Sequence, residues 1–162
     1  MLLGIDLGGT KIEGIVLKSK ENPDEIIRHR INTEEEKGYS QVINNIKSLV
    51  NHIENKINYK FKRLGIGTPG TIDPETGLLK NSNSQCLNGM PIQKDLAKTL
   101  DKIIHIQNDA NCFALAETLL GSVKDQYPDA KNVFGIIIGT GVGGGVIIDG
   151  KTVYGSQGIG GE

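Results

Sequence analysis

The stretch GIDLGGTK (Gly4–Lys11) is the part of the chain from which the fold can be read. An apolar segment runs into an acid, two adjacent glycines, a hydroxyl and a lysine. Two glycines are typical of a tight turn between two strands. The same glycines, with a hydroxyl, a cation and a nearby carboxylate for a metal, are also typical of a phosphate site. A single glycine motif does not distinguish a turn from a phosphate site, so the decision depends on the rest of the chain.

The composition describes an ordinary globular protein. The 162 residues are 37% hydrophobic and 23% charged, which fits one domain, or one domain with part of a second. The net charge of −1 and the 4% of aromatic residues indicate neither a nucleic-acid surface nor a base-stacking platform. Cys86 and Cys112 have no metal-ligand spacing, and no secretory segment or run of about 20 apolar residues is present. We therefore expect a cytoplasmic protein with reduced thiols and neither nucleic acid nor membrane as a partner.

The segments around the glycine turn predict a mixed α/β fold. Strands over 2–6, 12–18 and 25–33 form an antiparallel meander. A helix follows, because apolar residues recur at helical spacing at Val42, Ile46, Leu49, Val50, Ile53 and Ile57. Buried strands at 63–67 and 103–109 are expected in parallel positions, with a hairpin and a helix beginning near Pro91 between them. A helix over 110–122 ends near Gly121, and 124–132 is predicted to be a surface loop or linker.

The design of the opening segment recurs near the end of the chain. VFGIIIGT and GVIIDGKTVYG again place a glycine-rich turn between two apolar strands. A repeat of this kind suggests two related domains that face each other. We therefore predict a first domain over 1–122, with a mixed sheet flanked by helices, and an incomplete start of a second, similar domain over 131–162.

Four loops are candidates for chemistry. They are DLGGTK; GTPG at 67–70; QNDAN, with Asn108 and Asp109 at a strand-to-helix junction; and GTGVGGG at 139–145, with Thr140. Each has a simpler alternative, since Asp109 is a good helix cap and the glycines at 141–145 suit a hairpin or bulge. Independent turns, however, would not require two phosphate-like loops together with two carboxylates.

Six motifs follow one another along the chain: GIDLGGTK, GIGTPG, NSNSQCLNG, NDANCFALAE, GTGVGGG and GIGGE. Together they resemble the ROK family of sugar kinases, within the actin-like, hexokinase-type ATPase superfamily. The resemblance implies two ribonuclease-H-like domains around a cleft. It places ATP phosphates between the two glycine loops and a hexose deep in the cleft. It also implies ATP and Mg²⁺ as cofactors, a small-molecule sugar as partner, and a homodimer for the full-length protein.

The resemblance assigns roles to individual residues. Asp109 matches the catalytic base that takes the proton from the sugar hydroxyl. The residues that match sugar contacts are Gly70, Thr71, Asn83, Asn108, Asp109 and Glu162. The residues that match the two phosphate loops are Asp6, Gly8, Gly9, Thr10, Lys11, Thr140, Gly141, Gly143 and Gly144, with Asp6 acting on magnesium through water.

The chain also departs from the family pattern. Members continue with a histidine, a cysteine-rich zinc segment and the adenine-binding part of the second domain. We therefore expect an N-terminal portion of a kinase, without zinc, that is inactive or impaired alone. The loop KNSNSQCLNGMP resembles those of fructokinase-type and N-acetylglucosamine-kinase-type members. Fructose, glucose or mannose is therefore the preferred substrate, and N-acetylglucosamine or N-acetylmannosamine is the alternative. Two other classes remain, a sugar-sensing repressor and a non-catalytic fragment. The repressor is disfavoured because Met1 stands one residue before the first strand, which leaves no helix-turn-helix segment.

Overall fold

The computed structural model describes residues 1–138 and 142–161. These residues fall into two compact units, Met1–Ile106 and Gln107–Glu162. The strands are β1 (Leu2–Leu7), β2 (Lys11–Leu17), β3 (Glu25–Asn32), β4 (Arg63–Thr68), β5 (Thr71–Ile72), β6 (Leu79–Lys80), β7 (Ile103–Asn108), β8 (Asn132–Ile138), β9 (Val142–Ile148) and β10 (Lys151–Thr152). The helices are α1 (Tyr39–Ile57), α2 (Ile92–Leu100), α3 (Asp109–Leu119) and α4 (Ser122–Gln126), with short 3-10 turns at Glu35–Lys37 and Gln85–Leu87.

The first unit is built on a mixed sheet with the strand order β3-β2-β1-β4-β7. β1, β2 and β3 form the predicted antiparallel meander, and β4 pairs with β1 in parallel. The N–H of Ile103 donates to the carbonyl of Lys62 at 3.0 Å, so β7 and β4 begin at the same edge and run in the same direction. The mixed α/β sheet expected from the sequence is confirmed.

One face of this sheet packs against α1 in a core that is almost entirely aliphatic. Leu3, Ile5 and Leu7 alternate along β1 and are buried, as a half-buried strand requires. The stripe predicted on the first helix is confirmed, because five of its six residues are fully buried and Ile57 packs against them. Helical spacing places these side chains on one face, and burial of that face holds the helix to the sheet.

The two later strands of this sheet are less buried than predicted. In β4, Leu64 and Ile66 are in the core while Arg63 and Gly65 are exposed; in β7, Ile104 is buried and Ile103 is 54% exposed. The expectation of buried strands is wrong for these alternate positions, because each strand turns one face to the core of its unit. The hairpin between these strands is confirmed as the pair β5 and β6.

The second unit is an antiparallel sheet with the order β10-β9-β8, and α3 covers one of its faces. Gly135 and Gly145 stand opposite each other in β8 and β9, where an added Cβ would press on Ala110 or Ala114 of α3. α3 therefore lies close to the sheet because these positions lack side chains.

The segment between α3 and β8 contains a helix that the sequence does not predict. α4 covers Ser122–Gln126, so the loop predicted over 124–132 begins only after Gln126. The carboxylate of Glu117 accepts hydrogen bonds from the backbone N–H of Ser122 at 2.9 Å and from its hydroxyl at 2.6 Å. This capping contact comes from the preceding helix, and local sequence periodicity does not reveal it.

No helix in the described part of the chain is long and apolar enough to cross a membrane.

The compact units divide between residues 106 and 107, whereas the predicted domains divide over 123–130. The two divisions differ because α3, which follows the first sheet in sequence, packs on β8 and β9. The domain limits 1–122 and 131–162 remain a prediction.

Candidate functional site

The first glycine loop, Gly8–Thr10, joins β1 to β2 and is held from the end of β3. The N–H of Gly8 donates to the carbonyl of Lys11 at 3.0 Å. Thr33 donates two hydrogen bonds to the loop: its hydroxyl donates to the carbonyl of Gly8 at 2.6 Å, and its N–H donates to the carbonyl of Thr10 at 3.0 Å. The backbone N–H groups of Gly9 and Thr10 have no hydrogen-bond partner among the described residues. The loop therefore presents two free donors, which is the arrangement an anion needs.

A side chain at Gly8 would be tightly packed, and Gly9 has a polar surrounding. A Cβ on Gly8 would lie 3.1 Å from the carbonyl oxygen of Lys11. A Cβ on Gly9 would lie 3.4 Å from the hydroxyl of Ser84 and 3.6 Å from both carboxylate oxygens of Glu35. The space beside Gly9 is therefore lined by three oxygen atoms of two other segments.

The charged residues beside this loop already have neighbours. Asp6 is exposed near the end of β1, opposite Glu13 of β2 and Gly67 of β4, and it has an interaction of its own. The ammonium group of Lys11 donates to the side-chain oxygen of Asn32 in β3. A phosphate would have to compete with Asn32 for this ammonium group, so the role of Lys11 at the phosphates remains a prediction.

The loop after β4 is shaped by Gly70. Its φ of +81° is in the region that favours glycine. A Cβ there would overlap the carbonyl of Lys80 and lie 2.8 Å from the N–H nitrogen of Ser82. Thr71, which follows, is 8% exposed and pairs in register with Lys80. Gly70 therefore positions the loop by close backbone packing, while the side chain of Thr71 is largely shielded from solvent.

The polar loop that follows β6 alternates between exposed and buried residues. Asn81, Asn83 and Gln85 are exposed, whereas Ser82 and Ser84 are 3% and 2% exposed. Asn88 fixes the loop, because its side chain accepts from the N–H of Ser82 at 2.9 Å and donates to its carbonyl at 2.8 Å. Asn83 thus lines an open cavity of about 600 Å³ with its neighbours, and Ser84 turns toward Gly9.

In the second unit, Asn108 and Asp109 begin α3 with different roles. Asn108 is the N-cap; its side chain accepts from the N–H of Asn111 at 3.1 Å, and the residue is 3% exposed. Asp109 is the first helical residue and accepts from the N–H of Ala110 at 2.8 Å. The simpler interpretation of Asp109 as the N-cap is therefore wrong, because Asn108 holds that position; Asp109 accepts from a different N–H group of the first turn. Asp109 retains a carboxylate at the positive end of the helix dipole.

Gln107 connects this junction to the segment after β10. Its side-chain oxygen accepts from the N–H of Asn108 at 2.9 Å, and its amide nitrogen donates to the hydroxyl of Tyr154 at 2.9 Å. From the sequence, Gln107 was predicted only as part of the QNDAN motif, and Tyr154 was not predicted at all. No motif signal could have paired them, because 47 positions separate the two residues.

Two glycines that were assigned to the second glycine loop lie in a strand. Gly143 and Gly144 are in β9, paired with Ile137 and Ile136 of β8, and are not turn residues. Packing explains Gly144, where a Cβ would lie 2.5 Å from the carbonyl of Gly161 and 2.8 Å from the ring of Phe134. Thr140, Gly141 and Glu162, which were predicted to bind phosphate or sugar, lie outside the described residues.

The structure adds three residues to the first glycine loop: Thr33, Glu35 and Ser84. Thr33 is fully buried directly after β3, and Ser84 lies in a loop that the sequence analysis assigned to the sugar through Asn83. Glu35 is one of three consecutive glutamates, so the sequence gives no reason to prefer it. Across residues 1–138 and 142–161, no three His, Cys, Asp or Glu side chains are grouped so that they could hold a metal ion. Cys86 and Cys112 are not joined by a disulfide.

Comparisons with known proteins agree over the whole chain. The family model described as ROK family matches residues 2–162. An N-acetyl-D-glucosamine kinase of Aliivibrio salmonicida is 38% identical over 162 residues, which are 100% of this chain and 51% of the relative. The chain spans about half the length of the curated relatives it matches, and it corresponds to their N-terminal half.

Two solved structures also match nearly the whole chain. A ROK hexokinase from Thermus thermophilus superposes with a TM-score of 0.83 at 30% identity, over 99% of this chain and 51% of that one. A ROK glucokinase from Streptomyces griseus, solved with glucose and AMPPNP, superposes with a TM-score of 0.80 over 99% of this chain and 48% of that one. Its 24% identity supports the fold alone. The actin-like ATPase fold expected from the sequence is confirmed.

Proposed function

Because this chain belongs to the ROK family, we propose that it is part of an ATP-dependent sugar kinase that phosphorylates a hexose hydroxyl. The observation that carries this proposal is the start of α3. Asn108 is the N-cap of the helix, and among the described residues only Oδ1 of Asp109 accepts a hydrogen bond, from the N–H of Ala110, so its Oδ2 can take a proton. A carboxylate at this position suits a general base in phosphoryl transfer, which must be within hydrogen-bond reach of the attacking hydroxyl.

In the proposed reaction, Asp109 accepts the proton of the sugar hydroxyl as its oxygen bonds to the γ-phosphorus. The bond between that phosphorus and the bridging oxygen breaks, and ADP leaves with the electron pair. ATP would supply the transferable phosphoryl group, and Mg²⁺ would offset the negative charge of the phosphates. The two free N–H groups of Gly9 and Thr10 fit a phosphate, so this loop is the proposed phosphate cradle.

We propose further roles for residues of the two glycine loops and of the sugar site. Gly8 shapes the cradle, Lys11 adds a cation, and Asp6 holds magnesium through water. The further phosphate residues are Thr140, Gly141, Gly143 and Gly144, and the sugar residues are Gly70, Thr71, Asn83, Asn108 and Glu162. Of these, Asn83 has an exposed amide beside an open cavity, which suits contact with sugar hydroxyls.

Two substrate classes have equal support. The polar loop is compatible with fructose, glucose or mannose, and the hexokinase from Thermus thermophilus is a structural relative. The relative from Aliivibrio salmonicida is named as an N-acetyl-D-glucosamine kinase, which favours an N-acetylated hexosamine. N-acetylmannosamine belongs to the same second class.

A coupled-enzyme screen tests the proposal. ADP release is measured with ATP and Mg²⁺ on fructose, glucose, mannose, N-acetylglucosamine and N-acetylmannosamine, using this chain and the longest product of its gene. We expect turnover of at least one sugar by the longest product and weak or no turnover by this chain. Absence of turnover on every sugar by the longest product would contradict the kinase assignment.

A further inference from the structure

Thr33 holds the peptide group that joins the two adjacent glycines of the first loop. Its hydroxyl donates to the carbonyl oxygen of Gly8 at 2.6 Å, and no other group of the described residues donates to that oxygen. In a trans peptide, the C=O of one residue and the N–H of the next lie in one plane and point in opposite directions. With the carbonyl of Gly8 held toward Thr33, the N–H of Gly9 therefore points away from Thr33, and it has no partner in the described part of the chain.

This peptide group is the one in the loop with the least resistance to turning over. Its rotation changes ψ of Gly8 and φ of Gly9 while the course of the chain stays nearly the same. Glycine adopts positive φ about as readily as negative φ, and neither residue has a Cβ that opposes the rotation. After such a flip, the carbonyl of Gly8 would stand where the N–H of Gly9 stands now. A phosphate oxygen would then meet the negative end of the peptide dipole instead of the positive end.

Thr33 is anchored by its backbone independently of its hydroxyl. Its N–H donates to the carbonyl of Thr10 at 3.0 Å, and its own carbonyl accepts from the side-chain amide of Asn45 in α1 at 3.0 Å. The residue is fully buried. The two backbone contacts join the end of β3 to the loop and to α1, and any residue with an N–H and a carbonyl makes them. The contact to Gly8 is different, because it requires a hydroxyl at this position.

We propose that Thr33 is a positioning residue for phosphoryl transfer. Its hydroxyl holds the peptide group between Gly8 and Gly9 in the orientation that offers the N–H of Gly9 to a phosphate oxygen of the nucleotide. This role rests on the proposed sugar kinase function and adds to it the residue that orients the phosphate cradle. Thr33 acts through the peptide group and touches neither the nucleotide nor the sugar.

The test compares Thr33→Val with Thr33→Ser in the longest product of the gene. Valine removes the hydroxyl and keeps the branched shape, whereas serine keeps the hydroxyl and removes a methyl group. We expect Thr33→Val to raise the Kd of AMPPNP with Mg²⁺ about tenfold and to lower kcat about 10²-fold, because the cradle loses an oriented donor. The Kd of the preferred hexose should change by less than about twofold. Thr33→Ser should stay within about threefold of the unmodified protein in every quantity.

Thermal stability separates this role from a structural one. Thr33→Val loses a hydrogen bond and Thr33→Ser loses a buried methyl group, so both should lower the Tm by a similar amount, about 2–4 °C. A purely structural role would then weaken AMPPNP binding in both variants. Thr118→Val is the matched control, because it removes a hydroxyl that donates to the carbonyl of Ala114 at 2.7 Å in α3. It should leave the Kd of AMPPNP and of hexose unchanged.

Nuclear magnetic resonance reports on the peptide group directly. In isotopically labelled protein, the amide resonance of Gly9 should shift when AMPPNP with Mg²⁺ is added to the unmodified protein or to Thr33→Ser. The same addition should shift it far less in Thr33→Val, where the N–H no longer points at the phosphate. An equal shift in all three proteins would contradict the proposed role of the hydroxyl.

The outcomes distinguish this role from the proposed function. If the unmodified protein binds neither AMPPNP nor any hexose, the proposed function fails and the role of Thr33 fails with it. If it binds both ligands and Thr33→Val binds AMPPNP equally well, only the role of Thr33 is overturned. That role is also overturned if Thr33→Ser loses as much AMPPNP affinity as Thr33→Val, or if Thr33→Val loses hexose affinity to the same extent, because Thr33 would then support the fold around the site.

Discussion

At the scale of single residues, replacement of Asp109 by asparagine separates binding from proton transfer. Asn108 provides the helix cap, so Asp109→Asn should leave α3 intact. Loss of a general base typically lowers turnover by about 10²–10⁴-fold. We expect this loss in kcat of the longest gene product, with the Kd of the sugar changed only a few-fold. Asp125→Asn, in the exposed part of α4, is the matched control. A fully active Asp109→Asn enzyme would exclude this residue as the base.

Glu54 is a buried carboxylate whose partners are complete. It is 2% exposed and contacts the ammonium groups of Lys102 at 2.8 Å and Lys60 at 2.9 Å, while the N–H of Phe61 donates to it at 2.8 Å. Burial alone would raise the pKa of Glu54, but the hydrogen bonds from Lys102, Lys60 and Phe61 outweigh it and hold the pKa below 4.5.

This arrangement predicts a pH-dependent stability. Because the folded protein lowers the pKa of Glu54, its contribution is present above about pH 4.5 and is lost as the pH falls through the lowered value. Glu54→Gln leaves two lysines without their counter-ion, and we expect it to reduce the free energy of unfolding at pH 7 by about 3 kcal/mol.

Urea denaturation at pH 7 and pH 4 measures both effects. The difference between Glu54→Gln and the unmodified chain should shrink at the lower pH. Glu25→Gln is the control, because the ion pair of Glu25 with Arg28 is about half exposed, and surface pairs contribute about 0–1 kcal/mol. Equal stability of Glu54→Gln and the unmodified chain at pH 7 would show that Glu54 is not a structural anchor.

At the scale of elements, the contact between α1 and the sheet depends on Gly14 of β2. A Cβ at residue 14 would overlap Ile53 of α1 and lie 3.2 Å from Ile5 of β1. We therefore expect Gly14→Ala to destabilise the chain by about 1–3 kcal/mol through overpacking. Thermal or urea unfolding of the purified variant measures this.

Gly65 provides the control within the same sheet. It is in β4, and an added Cβ would meet nothing within 4 Å. Gly65→Ala should be neutral or stabilising by up to about 1 kcal/mol, because alanine loses less backbone entropy on folding. If both substitutions destabilise equally, close packing of α1 is not the reason for Gly14.

The elements also show where sequence reasoning holds. The helical stripe of α1 and the meander of β1–β3 were predicted because periodicity is a local property of the chain. α4 was missed and Gly143–Gly144 were assigned to a turn, because their conformations depend on Glu117, Phe134 and α3. A glycine cluster has the same appearance in sequence whether it binds phosphate or allows a helix to approach a sheet.

At the scale of the whole molecule, the second unit has an apolar face that is exposed over much of its area. Phe134, Ile136 and Ile138 of β8 are 59%, 52% and 79% exposed on the face opposite α3, and Val142 and Ile148 of β9 share that face. β8 is also an edge strand. An exposed apolar edge strand favours association.

We expect the 162-residue chain to self-associate at micromolar concentration when measured by light scattering. The double substitution Ile136→Lys and Ile138→Lys should shift it toward the mass of one chain, because two charges on this face oppose burial. Ile26→Lys, at a 44% exposed position of β3, should not. A clean monomer of the unmodified chain would contradict this expectation.

Some residues of the candidate site could likewise be predicted from the sequence, and others became apparent only in the structure. The first glycine loop, Asn83, Asn108 and Asp109 could be predicted as site residues from the sequence, because each motif is contiguous and its residue types suit the chemistry. It did not identify Thr33, Glu35 or Ser84, which reach Gly8 and Gly9 from other segments. Their role depends on distance in space, which no local pattern records.

GIDLGGTK (Gly4–Lys11) and the motifs that follow it determined the family, the mixed sheet and the order of its first strands. Alternation, helical spacing and glycine turns are consequences of short-range backbone and solvent physics, so they can be read along the chain. The tertiary structure decided that Asn108 rather than Asp109 is the N-cap of α3, and that Glu35 is the glutamate of the three that lies beside Gly9. Capping and the approach of a side chain to a distant loop depend on which groups meet once the chain has folded, and that is set by packing rather than by sequence spacing.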